Sequence, residues 1–172
     1  MRIGSAAIAF WLIASGAVAL ARAPQPAKPV SIGMFSGRWY EIARVAEGKK
    51  AQCQFGTSDF SGRAGAAFAV VETCHEGSPD GPAHEVKATV RIVPGAGNAK
   101  IRMGFFGGLV TQEYWILDHA DDDQSWALMA TPGGHYLWLL SRSPALKASA
   151  KSAAVARIAA LGYDASHLQP SR

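Results

Sequence analysis

The chain has 172 residues, 49% of them hydrophobic and 17% charged, with a formal net charge of +4. That balance excludes a disordered chain, and a count of two cysteines excludes a disulfide-dense mini-protein. The length fits one domain, and the mild, scattered basic excess lacks the clustered Lys/Arg stripe that nucleic-acid binding needs.

Residues 1–23 differ in kind from the rest. Arg2 supplies a basic start, and an apolar run centred on Ile8-Ala9-Phe10-Trp11-Leu12-Ile13 follows. Ala17-Val18-Ala19 and Ala21-Arg22-Ala23 both fit the small-x-small cleavage pattern of a secretory signal peptide, with Pro24 disfavouring the second site. An uncleaved N-terminal anchor stays open, since the apolar stretch of about 18 residues is near the lower limit for spanning a bilayer. The pattern directs the protein to the periplasm or outside the cell. With no Cys near this region, attachment of lipid to an N-terminal cysteine is not expected.

Residues 24–30, Pro24-Gln25-Pro26-Ala27-Lys28-Pro29-Val30, read as a stiff, extended linker. A domain over residues 31–172 follows, built of short strands broken by turn residues. The predicted strands are 39–45, 52–60, 67–74, 85–93, 99–106, 113–118, 125–131 and 136–142. Turn chemistry separates them at Ser61-Gly62-Arg63-Ala64-Gly65, Pro79-Asp80-Gly81-Pro82, Pro94-Gly95-Ala96-Gly97-Asn98 and Thr131-Pro132-Gly133-Gly134. Breaks this short leave no room for crossover helices, so the strands run antiparallel. Eight strands in up-and-down order close into a barrel, which removes the sheet edges and leaves an interior that side chains or one small ligand can fill.

In an exported protein Cys53 and Cys74 read most simply as one disulfide. They sit symmetrically about Arg63-Ala64, so a hairpin turning there brings them face to face at its open end. A reactive thiol is the alternative reading. After Ser143-Pro144, residues 145–161 carry Leu146, Ala150, Ala153, Ala154, Ile158 and Leu161 at helical spacing, with Ser143 as N-cap and Gly162 as stop. The stripe is narrow and Ala-rich, which suits packing on a barrel's outer wall.

Four motifs in order carry a family resemblance. Gly37-Arg38-Trp39-Tyr40-Glu41-Ile42-Ala43-Arg44 resembles the lipocalin Gly-x-Trp motif. Phe105-Phe106-Gly107, followed by Tyr114-Trp115-Ile116-Leu117-Asp118, resembles that family's sixth-strand region. Residues 136–144 resemble the last strand and helix entry of the bacterial outer-membrane lipocalins, which are similar to apolipoprotein D. Leu161-Gly162-Tyr163-Asp164-Ala165-Ser166 resembles their C-terminal segment. The resemblance implies an all-β, eight-stranded up-and-down barrel with one C-terminal helix outside, closed at one end and holding a small lipophilic molecule. It gives Gly37, Trp39 and Arg142 a structural role, the Arg packing on the Trp at the closed end. It implies no catalysis and no cofactor, and it suggests long-chain fatty acids or lysophospholipids as ligands, carried or stored in the cell envelope. An enzyme acting on a buried lipophilic substrate is the rival. A free thiol, or a Glu41 facing the cavity with no cationic partner, would favour it. Peripheral or N-terminal membrane association and a homodimer are left open.

The same subfamily places Tyr114 and Trp138 facing the ligand. Strand alternation adds Ile116 beside Tyr114, and Tyr136 and Leu140 beside Trp138. On neighbouring strands Val90, Met103 and Phe105 belong to the inward apolar faces. Tyr114 and Trp138 can orient a carboxylate or phosphate head group through an O–H and an indole N–H. No metal spacing joins the five histidines, and neither a Gly-x-Ser-x-Gly elbow nor a phosphate-binding loop is present. His119 with Asp121 and Asp123 reads as a solvated turn more than a cation site.

Overall fold

The computed structural model describes residues 22–46, 53–64, 67–121 and 125–171. Most of the predicted export segment, parts of the loops after residues 46 and 64, and Asp122, Asp123 and Gln124 lie outside the described residues. A short 3-10 helix, Ile32–Phe35, precedes β1 (Gly37–Ala46), β2 (Phe55–Ala64), β3 (Ala67–His75), β4 (Ala83–Ile92), β5 (Lys100–Phe105), β6 (Val110–His119), β7 (Trp126–Ala130) and β8 (Tyr136–Ser141). Helix α1 (Ala148–Ala160) follows, then a two-residue strand, β9 (Gln169–Pro170). Each of β1 to β7 pairs antiparallel with the next, and β1 pairs with both β2 and β8, so the sheet closes into an eight-stranded barrel.

The interior is filled from one end. Met34, Phe35, Trp39, Phe60, Phe68, Val90, Ile101 and Ile116 pack together there. A second apolar layer lies outside the barrel, where α1 brings Ala154 and Ile158 onto outward residues of β6, β7 and β8, among them Leu117, Leu128, Leu137 and Leu139. Burial on both faces explains why Trp126–Ala130 and Leu137–Leu140 are apolar without alternation.

Three local expectations are corrected. Cys53 and Cys74 form a disulfide with Cα atoms 5.4 Å apart, but Cys74 lies opposite Gly56, and Cys53 precedes β2. The reason is that β2 runs on through Ala64, with a register shift between Ser61 and Ala64, so the hairpin is not centred on Arg63-Ala64. The helix starts at Ala148 and not beside Ser143, whose N–H is taken by Ser141 Oγ at 3.1 Å; the chain must first cross from β8 to the outer wall. Gly162 does stop it, with its N–H bonded to Ala159 O at 3.0 Å. Residues 24–30 are extended, but they are strapped to the barrel: Ala27 N–H donates to Leu117 O, Val30 N–H donates to Gly97 O, and Val30 is buried.

Candidate functional site

The closed end is held by one side chain. The Arg142 guanidinium sits 4.0 Å from the centre of the Trp39 ring. Its Nη1 donates to Ser36 O (2.6 Å) and Arg38 O (3.0 Å), and its Nη2 donates to Gly33 O (3.2 Å) and Met34 O (3.3 Å). Trp39 Nε1 donates to Met34 O at 2.9 Å, so strand start, 3-10 helix and last strand are tied together. Gly37 adopts φ +69, a conformation that side-chain-bearing residues rarely take, which lets the chain turn into β1 under the Arg142 guanidinium.

Above this plug the barrel holds a cavity of about 290 Å³. Tyr114, Trp138, Leu140, Met103 and Phe105 line it, joined by Met129, Val86, Gly56, Thr57, Ser58, Glu41 and Glu72. Of the other residues named from the sequence, Val90 and Ile116 lie in the packed interior, 0% and 4% exposed, below the cavity on the closed-end side. Tyr136 is 42% exposed and stacks on Trp138 with ring centres 5.8 Å apart. Trp138 in turn meets Tyr114 edge-on at 5.9 Å. The three rings make an aromatic run from the rim into the barrel.

Two carboxylates enter this lining, and they are not equivalent. Glu41 is 2.6 Å from Arg44 Nε and accepts from Ser171 Oγ at 2.5 Å. It is thus neutralised by β1 itself and capped by the chain's end, which β9 stitches to Ala43 and Arg44. Gly56 leaves room for this carboxylate, since a Cβ at that position would come within 2.9 Å of Glu41 Oε2 and the side chain would have to shift. Glu72 projects inward from β3 in step with Phe68 and Val70. It accepts a hydrogen bond from Ser58 Oγ at 2.7 Å across the β2–β3 ladder. Burial pushes its carboxyl up to about 7, and the charges of Glu41 and Asp59 add to this. Burial, together with the charge of Glu72, also raises the Tyr114 phenol, which keeps it protonated as a donor.

Sequence reasoning passed over Glu72 and Ser58. The signal was present: Phe68, Val70 and Glu72 share one parity, and a carboxylate interrupting an inward apolar face is worth notice. Elsewhere His119 faces two backbone carbonyls, Ala120 O at 2.8 Å and Pro29 O at 3.0 Å, while Asp121 pairs with Lys28 at 2.9 Å. Among the described residues no group of three or more His, Cys, Asp or Glu is placed to hold a metal ion.

Comparison with known proteins agrees with this geometry. Residues 30–172 match the family described as Lipocalin-like domain. The outer membrane lipoprotein Blc of Vibrio cholerae is 26% identical over 127 residues, covering 72% of this chain and 73% of that protein. The temperature-induced lipocalin-1 of Arabidopsis thaliana is 27% identical over 160 residues, covering 82% and 78%. Among solved structures, insecticyanin of the tobacco hornworm Manduca sexta superposes with a TM-score of 0.67 at 21% identity, covering 87% of this chain and 85% of that one. A closed eight-stranded barrel with an outer helix, an Arg-on-Trp latch and a family match across its whole domain make this chain a member of the lipocalin family, whose fold binds small hydrophobic ligands.

Proposed function

We propose that the protein is a carrier that holds one small lipophilic ligand in its barrel, with an acyl chain of the fatty-acid or lysophospholipid type, for lipid transport or storage in the cell envelope. The carrying observation is the cavity of about 290 Å³ with its aromatic and aliphatic lining, above an end sealed by Arg142 and Trp39. That volume lies just below the roughly 300–1,000 Å³ typical of ligand pockets, which suits one chain and not two. Burying that chain against Met103, Phe105, Met129 and Leu140 supplies the driving force, at roughly 25 cal/mol per Å² of apolar surface.

The N-terminal segment supports export to the periplasm or beyond. Ala23 is 5% exposed and its N–H bonds Pro132 O, so processing after Ala19 leaves this contact in place, whereas processing after Ala23 removes it. Peripheral contact with a membrane is supported by Phe106, Leu109 and Val110, which stand 69%, 88% and 52% exposed at the β5–β6 connection. The enzyme reading loses both of its signals, because the cysteines are bonded and Glu41 is paired with Arg44.

Native mass spectrometry of the protein purified from its own envelope, followed by solvent extraction, tests the proposal. A bound lipid that Trp138→Ala sharply reduces is the expected result. An empty protein that also fails to take up fatty acids or lysophospholipids overturns the carrier reading, and a ligand converted to product while bound revives the enzyme. The same spectrum gives the intact mass, with the chain beginning at Leu20 as the expected outcome.

A further inference from the structure

Two carboxylates and one guanidinium share the upper barrel, and the buried Arg44, in register with Trp138, is taken by Glu41. Glu41 and Glu72 both line the cavity, and no Lys, Arg or His does among the described residues. Arg44 answers Glu41 from the same strand. Among the described residues no group of opposite charge answers Glu72, which is held through Oε2 by the Ser58 hydroxyl. The groups around it are consistent in sign. On β1 stands Glu41 with its Arg44, and on β2 stands Asp59, occupied on the outer side by Arg38 at 2.8 Å. On β6 stands the Tyr114 phenol, and on β4 the apolar Val86 lies directly opposite Glu72, with Glu85 and Lys87 exposed on the other face. A partly buried carboxylate with no counter-charge either takes up a proton or costs stability in its ionised form, a cost that a bound cation removes.

Resting on the carrier reading above, we infer that the missing charge comes from the ligand: the cavity selects a single-chain amphiphile whose head is a protonated amine, which pairs with Glu72 beside the Ser58 hydroxyl and the Tyr114 ring. The approach is prepared by the aromatic run. Tyr136 at the rim, Trp138 behind it and Tyr114 inside form a succession of π faces that attract a cation as it sheds water. The same lining repels a free carboxylate. A fatty-acid anion therefore enters with its head left at the rim, or after taking up a proton.

Titration follows from the pairing. Glu72 is charged in an increasing share of molecules as pH rises through about 7, while an alkylamine stays protonated well above that. An amine that binds only the ionised form gains nearly tenfold in apparent affinity between about pH 6 and pH 8, because the competent fraction rises from roughly one tenth to nine tenths. An alkanol shows no such dependence.

Calorimetric titration of the full protein with decylamine, decan-1-ol and decanoate tests this with one chain and three heads. At pH 8 the amine is expected to bind at least about tenfold tighter than the alcohol, with the carboxylate weakest. Glu72→Gln keeps a partner for Ser58 and removes the charge. It is expected to bring the amine level with the alcohol, abolish the pH dependence, and leave the alcohol's affinity and the circular dichroism unchanged. Ser58→Ala removes the hydrogen bond that favours the ionised carboxylate, so the pH midpoint for the amine should move up. Decanoate binding as tightly as decylamine at pH 8, or an amine preference that survives Glu72→Gln, overturns the inference while decanol binding keeps the carrier reading intact. Failure of all three ligands to bind overturns the carrier reading itself.

Discussion

Arg142 meets four backbone carbonyls and one indole face with a single guanidinium. Truncation leaves those carbonyls short of a donor and the Trp39 face uncovered. Arg142→Ala is expected to destabilise the protein by about 2–4 kcal/mol in urea denaturation, with decanol affinity unchanged. Arg142→Lys should recover little, since an ammonium lacks the planar fork. A loss of decanol affinity at unchanged stability would place Arg142 in the cavity instead of the latch. Glu72 has the opposite character. Its folded-state carboxyl sits at about 7 against an ordinary 4.5, because burial disfavours the charge. The ionised form is therefore the destabilised one. Its contribution to stability is fully present below about pH 4.5 and is lost as pH rises through about 7. Glu72→Gln lacks this loss. Between pH 4.5 and 8 the wild-type protein should lose on the order of 2 kcal/mol more stability than the variant, read from paired urea denaturations. Taking the difference between variants removes groups of the opposite sign, such as Asp118. There burial pushes the carboxyl up, but the His119 N–H, Arg157 and Lys28 outweigh it and hold it below the usual range.

At the scale of elements, the helix and the disulfide act on different parts of the barrel. Helix α1 covers the outer wall, with Ala154 and Ile158 fully buried and Arg157 bonded to Asp118 on β6. Ile158→Ala leaves a void between helix and sheet and should cost about 2–4 kcal/mol. It should leave ligand affinity unchanged, because the helix stands outside the wall whose other face lines the cavity. The disulfide ties the segment before β2 to the open end of β3. Replacing Cys53 and Cys74 together by Ser should lower stability by about 2–4 kcal/mol, checked by thermal unfolding. Both elements were legible in the sequence, by helical spacing and by cysteine count. Their positions were only partly so. The helix N-terminus moved downstream, and the hairpin shifted its register, since both depend on how β8 and β2 end in three dimensions.

For the whole molecule, the alternation of Ile101, Met103 and Phe105 with Lys100, Arg102 and Gly104 states which face of β5 turns inward, because successive strand side chains point opposite ways. Turn residues at short intervals state that the strands run antiparallel. These are local properties of the chain, so the sequence by itself determined the strand order and the inward faces, while the closed end at Gly37, Trp39 and Arg142 was what the resemblance to the lipocalins implied. The depth of each inward residue is not local. It follows from the stagger of eight strands around a closed ring, which sends Val90 and Ile116 into the floor and leaves Met103, Phe105, Tyr114, Trp138 and Leu140 around the cavity. The same closure brings Ser171 onto Glu41, a contact that joins the first strand to residues after the helix, while Arg44 reaches Glu41 from three residues along the same strand. Closure also sets Glu72 opposite Ser58, in a cavity lining without Lys, Arg or His among the described residues. The environment of Glu72 was therefore decided by tertiary structure, because its neighbours Ser58, Glu41 and Tyr114 come from other strands, and period-two alternation carries no information about that.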